Sequence, residues 1–199
     1  MVYFFRYLFF LGLLVLLVAC ATSSPNVTYY TTHAAVDMQQ VVMESNELSI
    51  AIGPAEFPNY LQRNQIVTRK KNRLHVEEFH RWGASFERTV LSTLGENIRS
   101  LINTPRIVIY PAIPRFDIDY RIVMDFLHFE GALGGDVALN VRWMVLDTSG
   151  KNALHIKQTT LSQSTANRSY DALIDAYNLL LTELAIEMAT AVNKLHTAQ

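Results

Sequence analysis

The chain has 199 residues, half of them hydrophobic by type, and 17 Lys and Arg against 18 Asp and Glu leave a net charge of −1. A balance so near neutrality excludes the strong basic field of a nucleic-acid-binding protein, and no basic face stands out. The single cysteine, Cys20, excludes an intramolecular disulfide.

Arg6 supplies a small positive region ahead of Leu8 to Val18, an apolar run of eleven residues broken only by Gly12. That length fits the apolar region of a signal peptide and is too short to span a bilayer. Leu17-Val18-Ala19 directly before Cys20 resembles the bacterial lipobox. In proteins with that motif the thiol is diacylated, the chain is cut before the cysteine, and the new amine is acylated. Three acyl chains, at ~0.8 kcal/mol per buried methylene, hold a chain on a membrane for good. An ordinary cleaved signal, or an uncleaved anchor beside an incidental cysteine, is the alternative. Cleavage after Ala19 leaves 180 of the 199 residues, enough for one domain with a real core. No later apolar run is long enough to span a membrane.

Residues 20–47 read as the lipidated cysteine and a tether. Ala21-Thr22-Ser23-Ser24-Pro25-Asn26 has a flexible composition, and Tyr29-Tyr30 is the first element expected to dock. The body then spans 48–199. Leu48-Ser49-Ile50-Ala51-Ile52 predicts a core strand stopped by Gly53-Pro54, and Phe57 to Arg63 a shaped loop. Ile66-Val67-Thr68 and Leu74-His75-Val76 flank Arg69-Lys70-Lys71-Asn72-Arg73, which predicts a hairpin with a basic tip. Trp82, Phe86, Val90, Leu91, Leu94, Ile98, Leu101 and Ile102 make a helical stripe opening at Trp82, and Asn103-Thr104-Pro105 ends it. Ile107 to Tyr110 is a short buried strand.

Strict alternation from Ile118 through Phe126 predicts a strand, with Gly131, Gly134 and Gly135 in the following turn. Val137, Leu139, Val141, Trp143 and Val145 line the return strand, and Leu154 to Leu161 a third. The three form an antiparallel meander whose outer residues Val123, Leu127 and Phe129 need partial cover. A long helix from about Ser169 to Lys194 closes the chain, with Asp171 near its positive end. The fold expected is α+β, a two-layer sandwich of a mostly antiparallel sheet on two long amphipathic helices.

Chemistry is hard to find in these residues. His75 and His80 stand near Glu77 and Glu78, but their spacing matches neither a helical nor a strand ligand pair. Asp117, Asp119 and Asp125 read as the polar side of a strand. A nucleophile elbow and a His-Glu-x-x-His segment are both missing from the sequence, and Gly131 to Gly135 opens no helix. The reading is a non-enzyme without cofactor or metal.

Several stretches together resemble the PqiC/YmbA-type family of ABC-transport auxiliary lipoproteins. Gly53-Pro54 through Phe57-Pro58-Asn59-Tyr60-Leu61-Gln62-Arg63 and on to Ile66-Val67-Thr68-Arg69 is similar to the family's strand, Pro-x-Tyr-Leu-x-Arg and Ile-Val-x-Arg pattern. Arg81-Trp82-Gly83, Phe129-Glu130-Gly131, Gly134-Gly135, Trp143 before Asp147, and Tyr29-Tyr30-Thr31 also fit. After Gly83 the family often has an acidic residue and a proline, where Ala84-Ser85-Phe86 stands here.

The resemblance implies a periplasm-facing lipoprotein held in the outer membrane through acylated Cys20, for which Ala21 is permissive. Its partners would be an MCE-domain tunnel protein and the ABC transporter of a lipid-transport system, with a homo-oligomeric ring in some members. Pro58, Tyr60, Leu61, Arg63 and Arg69 are the candidate partner-binding residues, with plain packing under the first helix as the other reading of that loop. A lipoprotein that itself shields an acyl chain, and a structural outer-membrane assembly factor, remain as alternatives.

Overall fold

The computed structural model of the protein describes residues 25–35, 45 and 47–198. The expected signal segment 1–19 and the lipidation at Cys20 lie outside the described residues. In chain order the elements are β1 (Thr28–Tyr30), β2 (Ile50–Glu56), a 3-10 turn (Asn59–Leu61), β3 (Gln65–Lys70), β4 (Arg73–Trp82) and α1 (Phe86–Ile102). They continue with β5 (Ile107–Ile109), β6 (Tyr120–Gly131), β7 (Asp136–Leu146), β8 (Ala153–Ser164) and α2 (Tyr170–Thr197).

Strand β6 organises the sheet. Along one edge it pairs antiparallel with β7, from Arg121↔Leu146 to Gly131↔Val137, and β7 pairs antiparallel with β8. Along the other edge it takes two strands end to end, β2 in parallel from Ile50↔Tyr120 and then β3 through Thr68↔Gly131. β5 flanks β2, β4 flanks β3, and β1 flanks β4. The eight strands therefore make one open, mostly antiparallel sheet that forks on one side. β6 to β8, where the three-stranded meander is expected, are the centre and one flank of this larger sheet.

The alternation explains which face is covered. Tyr120, Ile122, Met124 and Phe126 of β6 point to the helices with Val137, Leu139, Val141, Trp143 and Val145 of β7. A bulge between Phe126 and His128 resets the alternation, so Phe129 returns to the buried face instead of standing outside. The strand starts at Tyr120 and not at Ile118, because Asp119 turns its carboxylate back to the Ser49 hydroxyl and N–H, at 2.6 and 2.8 Å.

Each helix begins at a serine cap. The Ser85 hydroxyl accepts from the Arg88 N–H at 3.2 Å, and the Ser169 hydroxyl from Ala172 at 3.1 Å. Trp82, expected to open the first helix, is the last residue of β4. Its N–H donates to the Asn64 carbonyl at 2.6 Å and that of Gly83 to Tyr30 at 2.8 Å, so strand partners hold the chain until Ser85 can cap. Its four-residue distance from Phe86 imitated a helical step, and the two rings do meet, at 5.0 Å between centroids. α1 stops at Asn103, which is left-handed at φ 52. Among the described residues no helix is long and apolar enough to cross a membrane.

Residues 28–35 pack on the body, with the expected docking at Tyr29-Tyr30 made by β1 and extended through Ala35. After β1 the chain crosses onto the helical layer as a strap. The Thr32 and Thr93 hydroxyls share a 2.6 Å hydrogen bond, and the N–H groups of His33 and Ala35 donate to the amide oxygens of Asn178 and Asn97 at 3.0 and 3.1 Å. The polar residues inside the two apolar helical stripes are thus the strap's partners.

Candidate functional site

The loop after β2 is folded back by aromatic packing. Phe57 stacks on Phe126 at 4.4 Å and meets Phe86 edge-on at 5.6 Å. The 3-10 turn follows, with the Leu61 N–H donating to the Pro58 carbonyl at 2.9 Å and the Gln62 amide to the Phe57 carbonyl at 2.8 Å. Leu61 is buried in the core, Pro58 is half-buried, and Arg63 stands exposed.

Tyr60 and Arg69 converge on a residue that the sequence did not single out as a site, Glu130 at the end of β6. The Tyr60 hydroxyl donates to Oε2 at 2.8 Å, the Phe129 N–H to the same oxygen at 3.0 Å, and Arg69 Nε to Oε1 at 2.5 Å. His128 Nδ1 lies 3.3 Å from Oε1. The guanidinium sits over the Tyr60 ring, 5.6 Å from its centroid. The Glu130 side chain is only 3% exposed, that of Arg69 32%. A buried carboxylate needs such partners, since removing it from water without them is costly.

The same chemistry moves the neighbouring groups. Burial, and next the hydrogen bond to Glu130, push the Tyr60 hydroxyl up to about 12. The hydrogen bond to Glu130 raises Arg69 further. Burial lifts the Tyr177 hydroxyl well above the usual tyrosine range, with the Glu130 charge adding to it; Tyr177 donates to the Phe129 carbonyl at 3.2 Å.

This cluster binds the Tyr60 loop, the base of the β3–β4 hairpin and the end of β6 into one rigid unit. Arg69, expected at the basic tip, is drawn inward by Glu130, and the tip proper is Lys70, Lys71, Asn72 and Arg73. The signal for Glu130 was thin: one acid between Phe129 and Gly131 where a core strand ends. Its partners are 70 and 61 residues away in the chain.

The other sequence candidates are not drawn together. His80 stacks on Tyr170 at 3.7 Å and shares a 3.0 Å hydrogen bond with the Tyr30 hydroxyl. His75 Nε2 is 4.0 Å from Glu77. Among the described residues no three His, Cys, Asp or Glu side chains are grouped to hold a metal ion. A cleft of about 610 Å³ at the start of β6 is lined by Glu47, Arg106, Asp117, Asp119, Asp147 and His196 among others. Those charges suit water and ions, not an acyl chain. The centre between sheet and helices is packed with Trp143, Tyr177, Phe86, Phe126 and Phe129, all nearly or fully buried, while toward β8 an open cleft of about 340 Å³ lies between Trp143 and His155 on the sheet and Ile186, Ala191 and Leu195 of α2.

Solved structures share this architecture. A protein from Xanthomonas campestris of the DUF330 family superposes with a TM-score of 0.67 at 12% identity, over 88% of this chain and 99% of that one. A second, uncharacterized protein gives 0.65 at 16% identity, over 84% and 99%. The PelC dodecamer from Paraburkholderia phytofirmans is more distant, at 0.41 and 11% identity over 85% and 93%. No match was found among curated proteins. The model of the ABC-type transport auxiliary lipoprotein component matches residues 30–189, from the end of β1 to well inside α2. With the loop, the hairpin, β6, the first helix and most of the second inside that match, the chain belongs to the family of ABC-type transport auxiliary lipoprotein components.

Proposed function

We propose that this protein is a non-enzymatic component of an MCE-type lipid-transport system, anchored in the outer membrane through acylated Cys20 and facing the periplasm. The observation that carries the reading is the family match over residues 30–189, joined to a lipobox-like stretch ahead of it. The packed aromatic centre between sheet and helices favours a supporting body over one that encloses a lipid there.

In this reading the body presents the surface around Pro58, Tyr60, Leu61, Arg63 and Arg69 to the MCE-domain protein. Arg63 makes contact directly, while Glu130, Tyr60, Arg69 and Leu61 set the shape of the loop from beneath. Copies of the body assemble as a ring around the end of the tunnel. Crosslinking in intact cells, followed by purification and mass spectrometry, tests the proposal. It predicts recovery of an MCE-domain protein and its transporter, with crosslinks at the Arg63 loop. Recovery of outer-membrane assembly components alone, in cells that express the transporter, sinks it.

A further inference from the structure

The tip of the β3–β4 hairpin stands clear of the core. Lys70, Lys71, Asn72 and Arg73 are all exposed, and Lys71 is left-handed at φ 55 in the turn. From Phe57 to Val76 the chain contains no Asp or Glu. Glu130 pairs with Arg69 at the hairpin base. Beside the tip Leu74 and Val76 are 39% and 40% exposed. Cations interleaved with exposed apolar side chains match a surface of anionic headgroups over hydrocarbon.

The direction of the chain says which surface this is. β1 runs parallel to β4, with Thr28 beside His80. The chain therefore enters β1 from the Arg73 side of β4. Eight residues separate Thr28 from Cys20, a reach of at most roughly 28 Å. Seven separate His80 from Arg73 along β4, about 23 Å of strand. That reach is long enough to let an anchor at Cys20 and the tip meet the same surface. The β6–β7 turn lies at this end too, with Arg168 against Gly134.

We propose that the β3–β4 tip, through Lys70, Lys71, Arg73 and Leu74, docks the body on the anionic bilayer surface that holds the anchor. The inference rests on the anchored reading of Cys20. Docking sets the body upright with β6 along the membrane normal and the Asp147–Gly150 turn pointing away.

The test uses the full chain, reconstituted in vesicles carrying a bilayer-embedded quencher, with a fluorophore on Asn72→Cys or, as control, Ser149→Cys. The mass of the N-terminal peptide reports acylation of Cys20 separately. In phosphatidylglycerol/phosphatidylcholine vesicles the label at 72 is quenched and that at 149 is not. Lys70→Gln, Lys71→Gln and Arg73→Gln each lower the docked-to-free ratio about fivefold, and added salt lowers it further. Leu74→Gln lowers it at any salt concentration. No quenching at 72 on an acylated chain, equal quenching at both positions, or quenching indifferent to the three cations overturns the proposal while leaving the anchor intact. So does a photo-crosslinker at position 72 that captures protein in cells instead of lipid. A chain without acyl groups that fails to float with the vesicles overturns both.

Discussion

Two buried polar clusters hold this body together, and they do so by different physics. One lies in the groove between α1 and α2, where Thr93, Asn97 and Asn178 meet the strap of residues 31–35 and Thr182 braces Asn97. No carboxylate enters it: its bonds join hydroxyls, carboxamides and backbone groups, and the Asn178 amide also meets His33 Nδ1 at 3.0 Å. The other lies at the end of β6, where one carboxylate collects a guanidinium, a phenol and a backbone N–H. Losing a partner in the neutral cluster leaves one dipole unsatisfied, worth ~1–3 kcal/mol. Losing the cation in the charged cluster strands a buried ion, which costs more than the intact pair contributes. The first fastens a segment to the surface, and the second fixes the geometry of a loop.

The largest effect should therefore come from Arg69→Ala, which leaves Glu130 without its cation. A loss of about 3 kcal/mol is expected in urea unfolding. Glu130→Gln should cost less, since the amide oxygen still accepts and the Arg69 side chain is one-third exposed. Equal costs for the two would mean that the asymmetry drawn between charged and neutral clusters is wrong.

Asn178→Ala comes next, at about 2 kcal/mol. Its signature is local: amide exchange should quicken at His33 and along the strap while β6 and β7 keep their protection. Uniform acceleration would show that the strap is not a separable element.

Tyr60→Phe should cost about 1 kcal/mol near neutral pH and should also change the alkaline limb. In the folded protein burial and the hydrogen bond to Glu130 push the Tyr60 hydroxyl up to about 12, against an ordinary tyrosine value of 10.0. Between those values the folded state binds the extra proton, so stability falls as pH rises from 10 toward 12. The variant removes that part of the slope, and an unchanged slope would place it on Tyr177 or Tyr170 instead. Smallest of all is Lys71→Gln, expected within about 0.5 kcal/mol of the parent because the side chain is fully at the surface. Its effect belongs to membrane docking alone.

Local pattern was enough for much of the fold. The stripe of α2, the stop at Asn103 and the alternation in β6 and β7 depend on neighbours within a few residues, where helical and strand periods are legible. Trp82 shows the limit of that reading, since a spacing of four suits a helix and also suits a strand end packed on the helix that follows. Phe129 shows another, because a single bulge reverses which face a side chain meets.

The amphipathic elements were thus determined by sequence alone, since each is a pattern of adjacent residues. Only the tertiary structure decided that β2 and β3 share one edge of β6, that residues 31–35 strap the helices, and that Glu130 gathers Tyr60 and Arg69. Those contacts join residues that lie 57 to 145 positions apart. Burial and charge pairing over such separations depend on which surfaces the packed layers bring together, and a one-dimensional pattern carries no record of that.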